Sequence, residues 1–141
     1  MPAHPFSVHF PVALLLIAAA AYLIGLFRMG IVFIPAAMIA HGLGVLGLIA
    51  AILTGRAAQA YVTRTPALEP LLERHELLAY LTTWVYLLLG VWMYLRKGKT
   101  SQAEQALFTL CFVAVTALMA WSAHLGGVMV YQHGAGVQLV P

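Results

Sequence analysis

The stretch VALLLIAAAAYLIGLF, residues 12–27, is apolar throughout and is followed by Arg28, the first charged residue of the chain. A helix needs about 20 consecutive apolar residues to cross the hydrocarbon core of a bilayer. With the residues that precede it from Phe6 onward, the stretch reaches that length. We therefore predict a first membrane-spanning helix over residues 6–27.

Three further apolar stretches predict three more spanning helices, over residues 31–57, 77–95 and 104–130. The link Arg28-Met29-Gly30 is so short that the second helix has to run back along the first. Thr100 or Ser101, followed by Glu104, is typical of the cap that begins a helix. The polar segment between the second and third spans is the main loop, and its second half, PLLERHELLAY, has helical spacing.

The composition agrees with a protein embedded in a membrane. Of the 141 residues 63% are hydrophobic and 8% are charged, and the mean hydropathy is +0.95. Soluble domains carry roughly 25% charged residues. We predict an all-α integral membrane protein, with residues 1–141 forming one domain, an antiparallel bundle of four transmembrane helices. The lipid bilayer is then its main partner, and the scattered basic residues exclude nucleic acid.

The basic residues also predict the orientation of the bundle. An even number of spans places both termini on one side. Four basic residues lie on the opposite side, and three lie with three glutamates in the long loop on the terminal side. Basic residues are enriched in cytoplasmic loops. We therefore expect the termini on the outer side.

Three of the six histidines lie at similar depths below that outer side. At about 1.5 Å of rise per residue, His9 and His124 lie about 25 Å from the inner ends of their helices, and His75 about 30 Å. Ionisable side chains inside a membrane are functional candidates by default. His9, His75 and His124 are therefore the predicted metal ligands. His41 lies deeper in the membrane. It is either a residue near a quinone or a core histidine.

The surroundings of these histidines favour haem over a compact metal ion. The chain has no aspartate and a single cysteine, Cys111, and imidazole without thiolate suits haem iron, copper or zinc. Small residues such as Gly127 near His124 would leave a slot for a flat macrocycle. Haem could be held by His9 with His124 or by His9 with His75. Convergence of all three histidines on zinc or copper stays open.

Polar groups for the haem propionates are available at the outer edge, where we expect Arg56, Arg74 and His4. A face of small residues on the second span, Gly44 to Gly55, predicts close packing of another helix or of a flat ligand. The glycine-rich tail from Gly126 onward is expected to lie along the membrane surface.

Four blocks of this sequence resemble a known family: HPFSVHFPVALLL at residues 4–16, TG at 54–55, ERHELL at 73–78 and AHLGGVMVYQHGAGV at 123–137. The family is a widespread bacterial one of small four-helix membrane proteins, a domain of unknown function loosely similar to b-type cytochromes. The resemblance implies a multi-pass protein of the bacterial inner membrane, so that the outer side, where the basic residues predict the termini, would be the periplasm. It includes five of the six histidines and leaves out His41.

The function expected from these features is that of a membrane b-type cytochrome. It would carry haem b and transfer electrons between the quinone pool and a periplasmic redox partner, with quinone as a second candidate ligand. It would be an electron-transfer protein or subunit rather than a stand-alone enzyme. Two alternatives remain open: an accessory subunit of a larger respiratory complex, and a copper or zinc protein. Self-association into a homo-oligomer also stays open.

Overall fold

The computed structural model describes residues 4–27, 30–96 and 99–137, and this part of the chain is all-helical. Its helices are α1 (His4–Phe27), α2 (Gly30–Ala58), α3 (Glu69–Arg96) and α4 (Gln102–His133), with a short 3₁₀ turn at Gln59–Tyr61. All four α-helices are long and apolar enough to cross a membrane. The predicted fold class is thereby confirmed. The depth at which each helix enters the bilayer stays a prediction.

Local sequence signals account for the ends of α4. Ser101 caps its start and accepts a hydrogen bond from the backbone of Glu104, whose side chain accepts one from the Ser101 backbone. The helix stops at Gly134, which adopts a left-handed conformation with φ of 63°. This conformation is easy for glycine and strained for most other residues.

The expectation that the tail from Gly126 lies along the membrane surface is wrong for residues 126–133, which continue α4. A helix satisfies its own backbone groups, as the hydrocarbon core demands, and isolated glycines there are tolerated. Residues 138–141 lie outside the described part of the chain.

The small-residue face of α2 packs against α1, as the helix-packing interpretation predicts. A Cβ atom added at Gly44 would lie 2.7 Å from Cγ of Leu15, and one added at Gly47 would lie 2.9 Å from Cβ of Pro11. The backbones of α1 and α2 therefore approach each other where α2 has no side chains.

The centre of the bundle is an aromatic layer around Phe112 of α4. Its ring centre lies 4.9 Å from those of Tyr22 on α1 and His41 on α2, and 5.0 Å from that of Tyr86 on α3. Most of these pairs are edge-to-face, the arrangement that aromatic quadrupoles favour. One ring thus contacts all three other helices and sets their spacing.

The polar groups in this layer are paired across helices. Nε2 of His41 donates to the backbone carbonyl of Tyr86 at 2.9 Å, and the Tyr86 hydroxyl donates to the Thr116 hydroxyl at 2.9 Å. Among the described residues, no buried side-chain nitrogen or oxygen lacks a hydrogen-bond partner. His41, 3% exposed, is therefore built into the core, as one of its two interpretations predicts.

Two glycines of α2 provide a matched test of this packing. Gly44→Ala places a methyl group against Leu15 and should destabilise the protein by about 1–3 kcal/mol. The methyl group added by Gly42→Ala would lie in open space, so this substitution should stabilise the helix by about 0.5–1 kcal/mol. Thermal unfolding in detergent measures both, and equal effects of the two substitutions would contradict the close approach of α1 and α2.

Candidate functional site

At one end of the bundle α1 and α3 begin and α2 and α4 end. Two histidines come together there: His4 in the first turn of α1 and His75 in the second turn of α3. Their ring centres lie 6.4 Å apart and their planes are 77° apart. Both side chains are half-buried. We refer to His4 and His75 as the histidine pair.

His75 is held by α4. Its Nδ1 lies 2.8 Å from the backbone carbonyl of Ser122 and 3.2 Å from the Ser122 hydroxyl. Because a carbonyl can only accept, Nδ1 carries the proton and donates it. In the neutral ring Nε2 then has a free lone pair, the form in which imidazole binds a metal.

His4 is held in the same way by α2. Its Nδ1 lies 3.3 Å from the Thr54 hydroxyl oxygen. That hydroxyl has one proton, and it donates to the backbone carbonyl of Ala50 at 3.0 Å. Its oxygen therefore accepts from Nδ1 of His4, which leaves the lone pair on Nε2 here as well.

Two glycines make room for the histidine pair. A Cβ atom added at Gly55 would lie 3.0 Å from Cε1 of His4, and one added at Gly126 would lie 3.3 Å from Cε1 of His75. Each ring therefore lies directly against the backbone of the helix that holds it. Alanine at either position would push against its imidazole, so glycine is what lets the two rings sit between the helices.

His9 and His124, predicted as ligands together with His75, are exposed and lie away from the pair. Nδ1 of His9 donates to the carbonyl of Pro5 on its own helix at 2.6 Å. His124 lies beside Trp121, also on its own helix, with ring centres 5.5 Å apart. The ligand role of His9 and His124 therefore continues to rest on the sequence alone.

The convergence that a zinc or copper ion would need is not found in the described ranges 4–27, 30–96 and 99–137. No group of three or more histidine, cysteine, aspartate or glutamate side chains there could hold a metal ion. The histidine pair offers two ligands. A haem requires only two protein ligands, one on each face, because its porphyrin supplies the other four, whereas a tetrahedral ion needs three or four.

The other predicted site residues lie around the same end of the bundle or just beside it. Arg56 follows Gly55 directly and Arg74 precedes His75, and both side chains are exposed. Gly127 does not contact a histidine: a Cβ added there would meet only Tyr131, at 4.0 Å. Its neighbour Gly126 is the glycine that faces His75.

Sequence reasoning missed the residues that hold the pair, Thr54, Ser122 and Gly126. A usable signal was present, because Ser122 and Gly126 are four residues apart and so share one face of a helix. Serine and threonine inside an apolar span also tend to hydrogen-bond across helices. Reading those positions together would have placed His75 against α4.

Comparison with known proteins places the chain in a family. Residues 1–139 match the family described as "Predicted membrane protein (DUF2231)". No curated protein and no solved structure matches the chain. Because the matched residues cover almost its whole length, the chain belongs to this DUF2231 family of predicted membrane proteins.

Proposed function

We propose that this protein is a membrane b-type cytochrome in which His4 and His75 would hold one haem b. It transfers electrons between the quinone pool and a redox partner in the periplasm. The observation that carries the proposal is the histidine pair, two imidazoles on different helices, each with Nδ1 engaged and with Nε2 unbonded to any described residue.

The distance between the two rings supports this ligation. Imidazole nitrogen lies about 2 Å from a metal that it binds. Two rings that bind one metal through nitrogen would have centres at most roughly 6 Å apart, and the centres of the histidine pair lie 6.4 Å apart.

The partners of the two rings would tune the site. A hydrogen bond from Nδ1–H to a carbonyl or hydroxyl fixes the tautomer, holds the ring orientation and raises the basicity of Nε2. The Ser122 carbonyl does this for His75, and the Thr54 hydroxyl does it for His4. When bound, the haem supplies one-electron redox chemistry, and these residues hold its ligands.

The charges at this end of the bundle suit the propionates of haem. Arg74 precedes His75 in the sequence, Arg56 follows Gly55, the glycine that lies against His4, and both arginines are exposed. The ion pairs found in the described ranges, Arg64–Glu69 and Arg96–Glu104, use other arginines. Arg56 and Arg74 are thus available to bind carboxylates at the membrane edge, where arginine can form two parallel hydrogen bonds.

The orientation follows from the distribution of basic residues. We infer that the protein lies in the bacterial inner membrane with both termini in the periplasm. Arg28, Arg96, Lys97 and Lys99 then flank the cytoplasmic ends of the helices, as the positive-inside tendency favours. The histidine pair would lie near the periplasmic surface, within reach of a periplasmic electron carrier.

An optical spectrum tests the proposed haem. Protein purified after haem-replete expression should show Soret and alpha bands in the reduced-minus-oxidised spectrum. His4→Leu and His75→Leu should each lose most of the bound haem or shift its bands, because each removes one axial ligand. His133→Leu, a change at the exposed end of α4, is the control and should keep the wild-type spectrum.

The same spectra distinguish the histidine pair from the alternative haem ligands, His9 and His124. His9→Leu and His124→Leu should leave the bands in place, and loss of the bands in these variants alone would assign the haem to the pair predicted from depth. Absence of haem bands from the wild-type protein, with copper or zinc found by elemental analysis, would overturn the cytochrome proposal.

Reporter fusions test the orientation. Alkaline phosphatase fused after residue 141 should be active, because the enzyme folds only outside the cytoplasm. A fluorescent protein that folds only in the cytoplasm should not fluoresce when it is fused at the same position. The same reporters inserted between α3 and α4, at Lys99, should give the opposite pattern. Activity of the phosphatase at Lys99 would reverse the proposed orientation.

A further inference from the structure

The chain contains two helical hairpins of the same form, α1–α2 and α3–α4. In each hairpin the first helix begins, and the second ends, at the end of the bundle that holds the histidine pair. His4 and His75 are 71 positions apart in the sequence, and so are Gly55 and Gly126, the glycines against which their rings lie. A shift of 71 positions therefore brings the histidine and the glycine of one hairpin onto those of the other.

The same shift brings the buried faces of the two hairpins into register. Nine of the 13 residues buried in α1 and α2 have a buried counterpart 71 positions later, although only 15 of the 60 residues of α3 and α4 are buried. Examples are Leu15 with Tyr86, Ala18 with Leu89, and Ala37 with Phe108. Equivalent positions of the two hairpins thus face the core.

Contacts across the centre of the bundle show how the hairpins are related. α1 and α3 each pack against α2 and α4, so α1 lies diagonally opposite α3, and α2 lies opposite α4. The rings of His4 and His75 are 6.4 Å apart across one diagonal. Those of His41 and Phe112, which are also 71 positions apart, are 4.9 Å apart across the other. A two-fold axis along the bundle, passing through both pairs, accounts for these contacts.

Sequence identity between the hairpins is concentrated at the site. When residues 4–58 are compared with residues 75–129, three equivalent positions are identical. These are His4 and His75, Leu16 and Leu87, and Gly55 and Gly126. The cores of the two hairpins are filled by different side chains, so packing alone does not explain this identity. What the hairpins share is an imidazole and the glycine that admits it.

The groups that hold the two imidazoles follow the shift in part. Ser122, whose carbonyl accepts from His75, has Ala51 as its counterpart. The Ala51 carbonyl lies 3.1 Å from the hydroxyl of Thr54, the group that holds His4. The same stretch of the second helix therefore holds the imidazole in each hairpin, although the hydroxyl comes from a different position in each.

We propose that residues 4–58 and 75–129 are equivalent units related by a two-fold axis, and that the histidine pair is one site on this axis for a single metal centre. Each unit contributes one imidazole, from opposite sides of the axis. Metal sites in helix bundles are commonly built in this way, from side chains on facing helices. A metalloporphyrin suits the site because its two faces are equivalent. The inference deepens the proposed function and rests on it for the identity of the metal centre as haem.

Distances between spin labels test the axis without haem. Ile17 and Ile39 are exposed on the first hairpin, and their counterparts Leu88 and Leu110 are exposed on the second. Double substitutions to cysteine in a Cys111→Ala background allow the labels to be attached, and pulsed electron paramagnetic resonance measures their separation. The label pair at Ile17 and Leu110 joins α1 to α4. The pair at Leu88 and Ile39 joins α3 to α2, and a two-fold axis requires the same distance for both. Distances that differ by more than the width of their distributions would overturn the inference.

A label pair out of register is the matched control. Leu81 is exposed on α3, two turns or about 10 Å from Leu88. Leu88 and Ile39 lie at similar heights in the bundle, as judged from the rise of a helix. The pair at Leu81 and Ile39 should therefore give a longer distance than the two equivalent pairs.

Haem content tests the shared site. Assay of haem as its pyridine complex, against protein concentration, should give one haem for each chain. Because both imidazoles hold the same haem, His4→Leu and His75→Leu should each lose most of it, and the double variant should lose no more than either single one. Loss of half of the haem in each single variant, and of all of it in the double variant, would mean one site in each hairpin and would overturn the shared site.

The two kinds of measurement separate this inference from the proposed function. Wild-type protein that lacks haem but gives equal label distances would overturn the cytochrome and support the two-fold axis. Haem bands together with unequal label distances would support the cytochrome and overturn the axis.

Discussion

The hydrocarbon core of a bilayer contains no water to satisfy a polar group, and this constraint organises the bundle. Some polar side chains that point inward find partners on another helix: His41 on Tyr86, and the Tyr86 hydroxyl on Thr116. Others, such as Thr82 and Thr83, bond to carbonyls of their own helix. At the end of the bundle that holds the histidine pair, His75 is held by α4 through Ser122. The contacts that join two helices help to set how those helices are rotated, while the apolar surface faces lipid.

The same constraint connects the fold to the chemistry proposed for it. A histidine whose Nδ1 donates to a carbonyl or a hydroxyl oxygen keeps a lone pair on Nε2, and both members of the histidine pair are in this state. In the core the roles are reversed: Nε2 of His41 donates to Tyr86, and its Nδ1 accepts from the Tyr22 hydroxyl. The contacts that stabilise the bundle therefore also decide which nitrogen of the histidine pair can bind a ligand.

The position of a residue along a helix can be predicted from the sequence, but its direction around the helix cannot. His9 and His124 are candidates because of their predicted depth, yet both side chains are exposed. Five residues at about 100° each turn His9 about 140° around α1 from His4, and two residues turn His124 about 160° from Ser122. Since His4 and Ser122 face inward, their neighbours at these spacings face away. Nothing in an almost uniformly apolar span indicates which face is the inner one.

The sequence by itself determined the four helices, their order, the capped start of α4 and their membrane character, because length, hydropathy and local hydrogen bonding decide these within one segment. Only the tertiary structure decided that His75 is paired with His4, that Gly126 and Gly55 are the glycines that admit them, and that His41 lies against Phe112. Those contacts depend on how the helices are rotated against one another. That rotation is set jointly by side chains far apart in the chain, so no single segment contains it.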